Sequence, residues 1–192
     1  MNSGKNIMTA FKVVAQTYAN VNKMLNELDE IAIRKEAENI VEKKPGYLRW
    51  RSDVHTQAWY VGSLIKLYQK NDGEQINDTI LKDGPIYAIE INFWGHGETE
   101  GPQVVLARFN YTDLVLTGKP PAISDHANFF RPIYQKDLFT FEKNGPITTS
   151  RPNNNNISKK YGNVTEVVFK TLELTDITSN TIEDIFQELL AL

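Results

Sequence analysis

A chain of 192 residues with 41% apolar residues, 23% charged residues and a net charge of −3 fits one soluble domain with its own core. The absence of cysteine excludes a disulfide framework, thiolate metal ligands and a cysteine nucleophile. The mild negative charge gives no general pull toward nucleic acid or anionic membrane, and no stretch approaches the roughly 18 consecutive apolar residues of a membrane span.

The start, Met1 to Asn6, is polar and lacks the apolar block of a signal peptide, so a cytoplasmic location is expected. A long amphipathic helix follows, from about Asn6 to about Lys43. Ile7, Phe11, Val14, Tyr18, Val21, Leu25, Leu28 and Ala32 succeed one another at spacings of four and three, the rhythm of a helix that buries one narrow face. The stripe drifts to Ile33, Ala37, Ile40 and Val41, and Lys43-Lys44-Pro45-Gly46 supplies a stop. Glu27, Asp29, Glu30, Arg34, Lys35, Glu36 and Glu38 read as the solvated face. The partner surface is either the chain's own sheet or a second copy, in a homodimer paired through Ile7, Phe11, Val14, Tyr18, Val21, Leu25 and Leu28.

The stretch from Tyr47 to Gln69 is balanced. Trp59-Tyr60-Val61 and Gly62-Ser63 argue for a strand, while Val54, Ala58, Val61, Ile65 and Tyr68 trace a helical face; strand is preferred. Next comes an antiparallel hairpin. Tyr87, Ile89, Ile91 and Phe93 alternate with other residues, as do Val105, Ala107, Phe109 and Tyr111, with a turn-rich loop from Gly95 to Pro102 between them. Those eight residues are expected to face the core. Further strands are expected at Leu138 to Glu142 and Val164 to Leu174, and a C-terminal helix from about Ser179 to Leu192. Thr117 to Pro132 and Asn144 to Asn163 read as long irregular connections. No internal repeat or domain boundary is visible.

Four groups of residues could carry chemistry. Asp83, Glu90 and Asn92 have a spacing that resembles the metal-binding carboxylates of the restriction-endonuclease-like nucleases, which implies a divalent metal at a strand edge. Asn92 stands where that pattern has lysine, and a strand follows where that family has a helix. The plainer reading, a cross-strand pair between Glu90 and Arg108, is preferred. His96, Glu98 and Glu100 alternate in the hairpin loop and could ligate zinc, iron or manganese, with His55 or His126 completing the set. A solvated turn would use the same residues. Arg49, Trp50 and Arg51, with Arg151, Lys159 and Lys160 beside four consecutive asparagines, mix cations, amides and an aromatic as nucleic-acid contacts do. The acidic balance favours a solvated loop. Finally, Asp53 with His55, and Asp125 with His126, are acid–histidine neighbours; no serine sits in a Gly-x-Ser-x-Gly elbow, so turns or caps are expected.

The expectation is therefore one α+β domain over residues 1–192: a long helix in 1–45, a mostly antiparallel sheet of about four or five strands with long loops in 46–175, and a short helix in 176–192. Both helices should cover one face of the sheet. No catalytic constellation is complete. A non-catalytic binding or protein-interaction module without a cofactor comes first, and a metal-dependent nuclease-like hydrolase second.

Overall fold

The computed structural model describes residues 3–41, 44, 46–50, 61–76, 79–94, 101–114 and 119–192. The first element is helix α1 (Ser3–Arg34), followed by two short strands, β1 (Ala37–Asn39) and β2 (Leu48–Arg49). Three long strands come next: β3 (Ser63–Lys70), β4 (Ile86–Asn92) and β5 (Gln103–Tyr111). Helix α2 (His126–Tyr134) precedes the hairpin of β6 (Phe139–Asn144) and β7 (Ile147–Pro152). Helix α3 (Asn155–Lys160), strand β8 (Val164–Glu173) and helix α4 (Ile182–Ala191) complete the order. The eight strands form one antiparallel sheet in the order β1-β3-β4-β5-β8-β7-β6, with β2 also on β3. The class is the expected α+β, with a larger sheet.

Helices α1 and α4 cover one face of the sheet, as expected. Val21, Leu25, Leu28 and Ile31 of α1 pack with Ile185, Phe186 and Leu189 of α4 onto Leu64, Tyr68, Tyr87, Ile89, Ile91, Val104 and Leu106. Arg34 and Lys35, at the end of α1, hold Glu183 in the first turn of α4 at 3.2 and 2.9 Å. The second face is covered too, and this departs from expectation. Phe129 and Ile133 of α2, with Phe139 and Tyr161, pack onto Ile65, Leu67, Ile86, Ala88, Val105, Ala107, Phe109 and Phe169. Every residue of β4 is consequently buried. Six of the eight hairpin residues named from alternation are buried, with Phe93 and Tyr111 partly so, yet Tyr87, Ile89 and Ile91 face the helices whereas Val105, Ala107 and Phe109 face α2.

Helix α1 ends nine residues before Lys43, at Arg34. Glu36 takes a left-handed backbone with φ of 54°, and its carbonyl accepts the Asn71 amide at 2.8 Å. Ala37 to Asn39 then pair with β3 instead of continuing the helical stripe, because a ladder partner lies beside them. Asp29 is not simply solvated. Its carboxylate binds the buried Lys66 ammonium and accepts from the Tyr68 hydroxyl at 3.0 Å and Asn39 Nδ2 at 3.1 Å. Burial pulls the Lys66 pKa down, and the hydrogen bond and charge of Asp29 oppose that. At the other end of α1, Ile7, Phe11 and Val14 are 60%, 73% and 45% exposed. The stripe meets its own body only from Tyr18, whose hydroxyl donates to the Val61 carbonyl at 2.8 Å.

Both connections read as irregular contain regular structure. Residues 144–163 hold β7 and α3, where Asn154 accepts the amides of Asn156 and Ile157 through its side chain and so caps the helix. Residues 119–132 run through a 3-10 turn at Ile123–Asp125 into α2, which carries Pro132 inside it. Among the described residues no helix is long and apolar enough to cross a membrane.

Candidate functional site

One end of the second sheet face is polar rather than apolar. Ser63 and Asn92 are register partners on β3 and β4, Asn92 also pairs with Gln103 on β5, and Glu90 lies two residues from Asn92 on the same face. All four are buried. Helix α2 lays its own aromatic face over them: the His126 ring stacks on Phe130 at 5.1 Å, and Phe130 meets Tyr134 at 4.6 Å. The spacing of four along the helix puts these three rings on one side.

A hydrogen-bonded chain joins the two elements. Ser63 Oγ lies 2.6 Å from Glu90 Oε1 and 3.0 Å from His126 Nε2. Burial pushes the Glu90 carboxyl up to about 7, against the opposing hydrogen bonds of Ser63 and Tyr134. Burial pulls His126 down to about 4, so its imidazole is neutral at physiological pH. When Glu90 is ionised, Ser63 donates to it and His126 donates to Ser63. When Glu90 is protonated, the direction reverses and Ser63 donates to His126. In a Ser–His–acid triad the imidazole stands between hydroxyl and acid. Here the hydroxyl stands in the middle, so the acid does not orient the imidazole as a base. Glu90 Oε2 makes no hydrogen bond among the described residues.

Above this chain opens a cavity of about 570 Å³. That volume lies within the ordinary range of small-molecule sites. Its floor includes Ser63, Asn92 and His126, and Ala127, Phe130 and Arg131 form a wall from one side of α2. Trp50 and Trp94, each 48% exposed, stand at the opening. Gly62 is needed for this arrangement, since a Cβ there would lie 1.6 Å from Trp94 Nε1.

The residues singled out from sequence are dispersed. Glu90 is fully buried, Asp83 is exposed beyond the opposite end of β4, and Asn92 accepts the Trp94 amide at 3.0 Å. Asp83 lies in the bend before β4, and the strand from Ile86 to Ile89 carries Glu90 away from it. The expected Glu90–Arg108 pair is absent: Glu90 stands opposite Val105, Arg108 opposite Tyr87, and the two side chains project from opposite faces. A one-residue difference in register produces that inversion. His55, His96, Glu98, Glu100 and Arg51 lie outside the described residues. Among the described residues no three histidine, aspartate or glutamate side chains converge as metal ligands. Arg49 lies on β2 and Trp50 lines the cavity. Arg151 is held by Glu142 at 3.3 Å and Glu166 at 2.6 Å, and Lys159 and Lys160 end α3.

Ser63 was visible only within a strand signal and as a serine outside any elbow, and His126 only as a further ligand for the hairpin loop and as a histidine beside an aspartate. Phe130, Arg131, Tyr134 and Gln135 carried no signal as separate residues. An alternative sequence signal was present: one acid, Glu90, inside the apolar run from Ile86 to Phe93. The chain matches no protein-family model, no curated protein and no solved structure.

Proposed function

We propose that the chain is a non-catalytic binding module whose ligand is a small molecule held in the cavity over Ser63. One observation carries this reading. At one end of the α2 face, Ser63, Glu90, Asn92 and His126 converge beneath a cavity of about 570 Å³, and a fully buried carboxylate oxygen there has no hydrogen-bond partner among the described residues. Buried polar groups are costly unless hydrogen-bonded, so a purely structural core would place apolar side chains here. Concave sites with aromatic walls and a few converging polar groups are where small ligands bind. The centred hydroxyl supports binding over nucleophilic catalysis, because among the described residues no group activates Ser63 and orients its base together.

The test is a thermal-shift screen of a chemically diverse compound set against the wild type and Ala127→Leu. Leucine at this wall position narrows the cavity without removing any polar contact. Compounds that raise the wild-type Tm and leave the variant unmoved support the reading. Compounds that stabilise both equally, or a screen with no stabiliser, overturn it.

A further inference from the structure

We infer that the ligand of this cavity is a planar aromatic compound bearing a carboxylate or phosphate group, with its ring against the tryptophans and its anionic group on Arg131. The inference rests on the binding reading above and names the class of ligand.

Three observations carry it. Trp50 and Trp94 stand at one opening, each 48% exposed, and Phe130 faces the same space. Single exposed aromatics are ordinary on a protein surface, but contiguous ones around a cavity mark a place where apolar surface is to be covered. Flat indole and phenyl surfaces favour an offset-stacked or edge-on ring over an aliphatic chain. The second observation is charge. Arg131 lines the cavity, and its guanidinium makes one long hydrogen bond, from Nη1 to the Tyr161 hydroxyl at 3.4 Å. No carboxylate among the described residues pairs with it. Arg34 and Arg151 are each matched by glutamate, whereas Arg49 and Arg108, like Arg131, have no carboxylate partner among the described residues; of these three only Arg131 lines the cavity. A planar guanidinium fork without a counter-ion suits a carboxylate or phosphate, which it can grip with two parallel hydrogen bonds. The third observation is spacing. Phe130 and Arg131 point in different directions from α2 but line the same cavity, so one small molecule held there can meet a ring and a charge. Ser63 and His126 at the floor then meet a donor or acceptor on the ring edge, as their reversible hydrogen-bond chain allows.

The experiment is isothermal titration calorimetry with matched pairs that differ in charge: nicotinate against nicotinamide, indole-3-acetate against indole-3-acetamide, and adenosine 5′-monophosphate against adenosine. It uses the full chain, then Arg131→Gln, Arg131→Lys and Trp50→Leu, each checked for native circular dichroism. The expected result is an anionic member bound about tenfold or more tightly than its neutral partner. Arg131→Gln should abolish that ratio, Arg131→Lys should keep part of it, and Trp50→Leu should weaken both members alike. The carboxylate and phosphate pairs distinguish the two anion sources. Equal affinities within every pair, or a ratio indifferent to Arg131→Gln, overturn the inference. If none of the six binds while non-aromatic compounds stabilise the wild type but not Ala127→Leu, the ligand class fails and the binding reading stands. If nothing binds at all, both fail.

Discussion

The two faces of the sheet have been filled on different principles. Under α1 and α4 the packing is apolar apart from Lys66, which has Asp29 against it, and Arg108, whose buried Nε has no partner among the described residues. Under α2 the apolar packing stops at one end, giving way to Ser63, Glu90, Asn92 and His126 below an open cavity. The first face shows how buried charge is treated when stability is all that is asked. The second gathers four buried polar side chains at one end, with a Glu90 oxygen that has no partner among the described residues, and such a cluster persists where something besides packing is being served.

Changes to each face sharpen or break that contrast. The largest effect is expected at Phe186, fully buried and edge-on to Tyr68 at 5.2 Å. Phe186→Ala should cost about 3–5 kcal/mol by chemical denaturation. If His126→Ala costs as much, the polar end is core like the rest and the contrast is lost.

Acidity comes next. A carboxyl raised from 4.5 to about 7 makes the native state hold a proton that the unfolded chain has released, so its contribution falls as pH rises through that window. An imidazole lowered from 6.5 to about 4 does the opposite: the unfolded chain holds the proton, and its contribution rises with pH through the overlapping window. Each amounts to about 3 kcal/mol. Between pH 4.5 and 6.5 they offset, and folding moves a proton from imidazole to carboxyl without net uptake. For the wild type, these two groups together should therefore add little slope to stability in that interval. Glu90→Gln should uncover a rise with pH relative to wild type, measured by urea denaturation at half-unit steps. Parallel profiles for the two proteins would remove the buried pair from the account.

On the helix face, Asp29→Asn should cost about 2–3 kcal/mol, below the usual penalty for stranding a buried charge because Asp29 itself is 36% exposed. Adding Lys66→Met should recover most of that loss, since the stranded charge is then gone. A double variant no better than the single would show that Asp29 acts through Tyr68 and Asn39 instead. The smallest effect belongs to the exposed start of α1, where Phe11→Ser should shift stability by less than about 0.5 kcal/mol. A larger loss would mean that this stretch is covered after all.

What could be read from the sequence follows from which forces are local. The β4–β5 hairpin and α4 were legible because strict alternation and an amphipathic helical face are short-range patterns. Alternation could not say that both faces of β4 are covered, since α2 lies more than thirty residues downstream. The end of α1 was hidden for the same reason: Ala37 keeps helical spacing but is captured by Lys70 across the sheet. Two local signals were present but outweighed. Asn144-Gly145 marks the turn of the β6–β7 hairpin, where Gly145 has φ of 60°, and Asn154 caps α3 within an asparagine run read as loop. The site itself was nearly invisible. Ser63 and His126 are separated by sixty-three positions and meet only because α2 crosses the end of β3.

The margins of the sheet have a consequence for how this chain behaves in a crowd. An open strand edge is a template onto which another chain can add. One margin here is broken into β1 and β2, three and two residues long, on a single neighbour. The other, β6, sets Glu142 and Lys143 into the last exposed row. A margin of very short strands on one side and a charged row on the other leave a stranger little flat, uncharged backbone on which to add a strand.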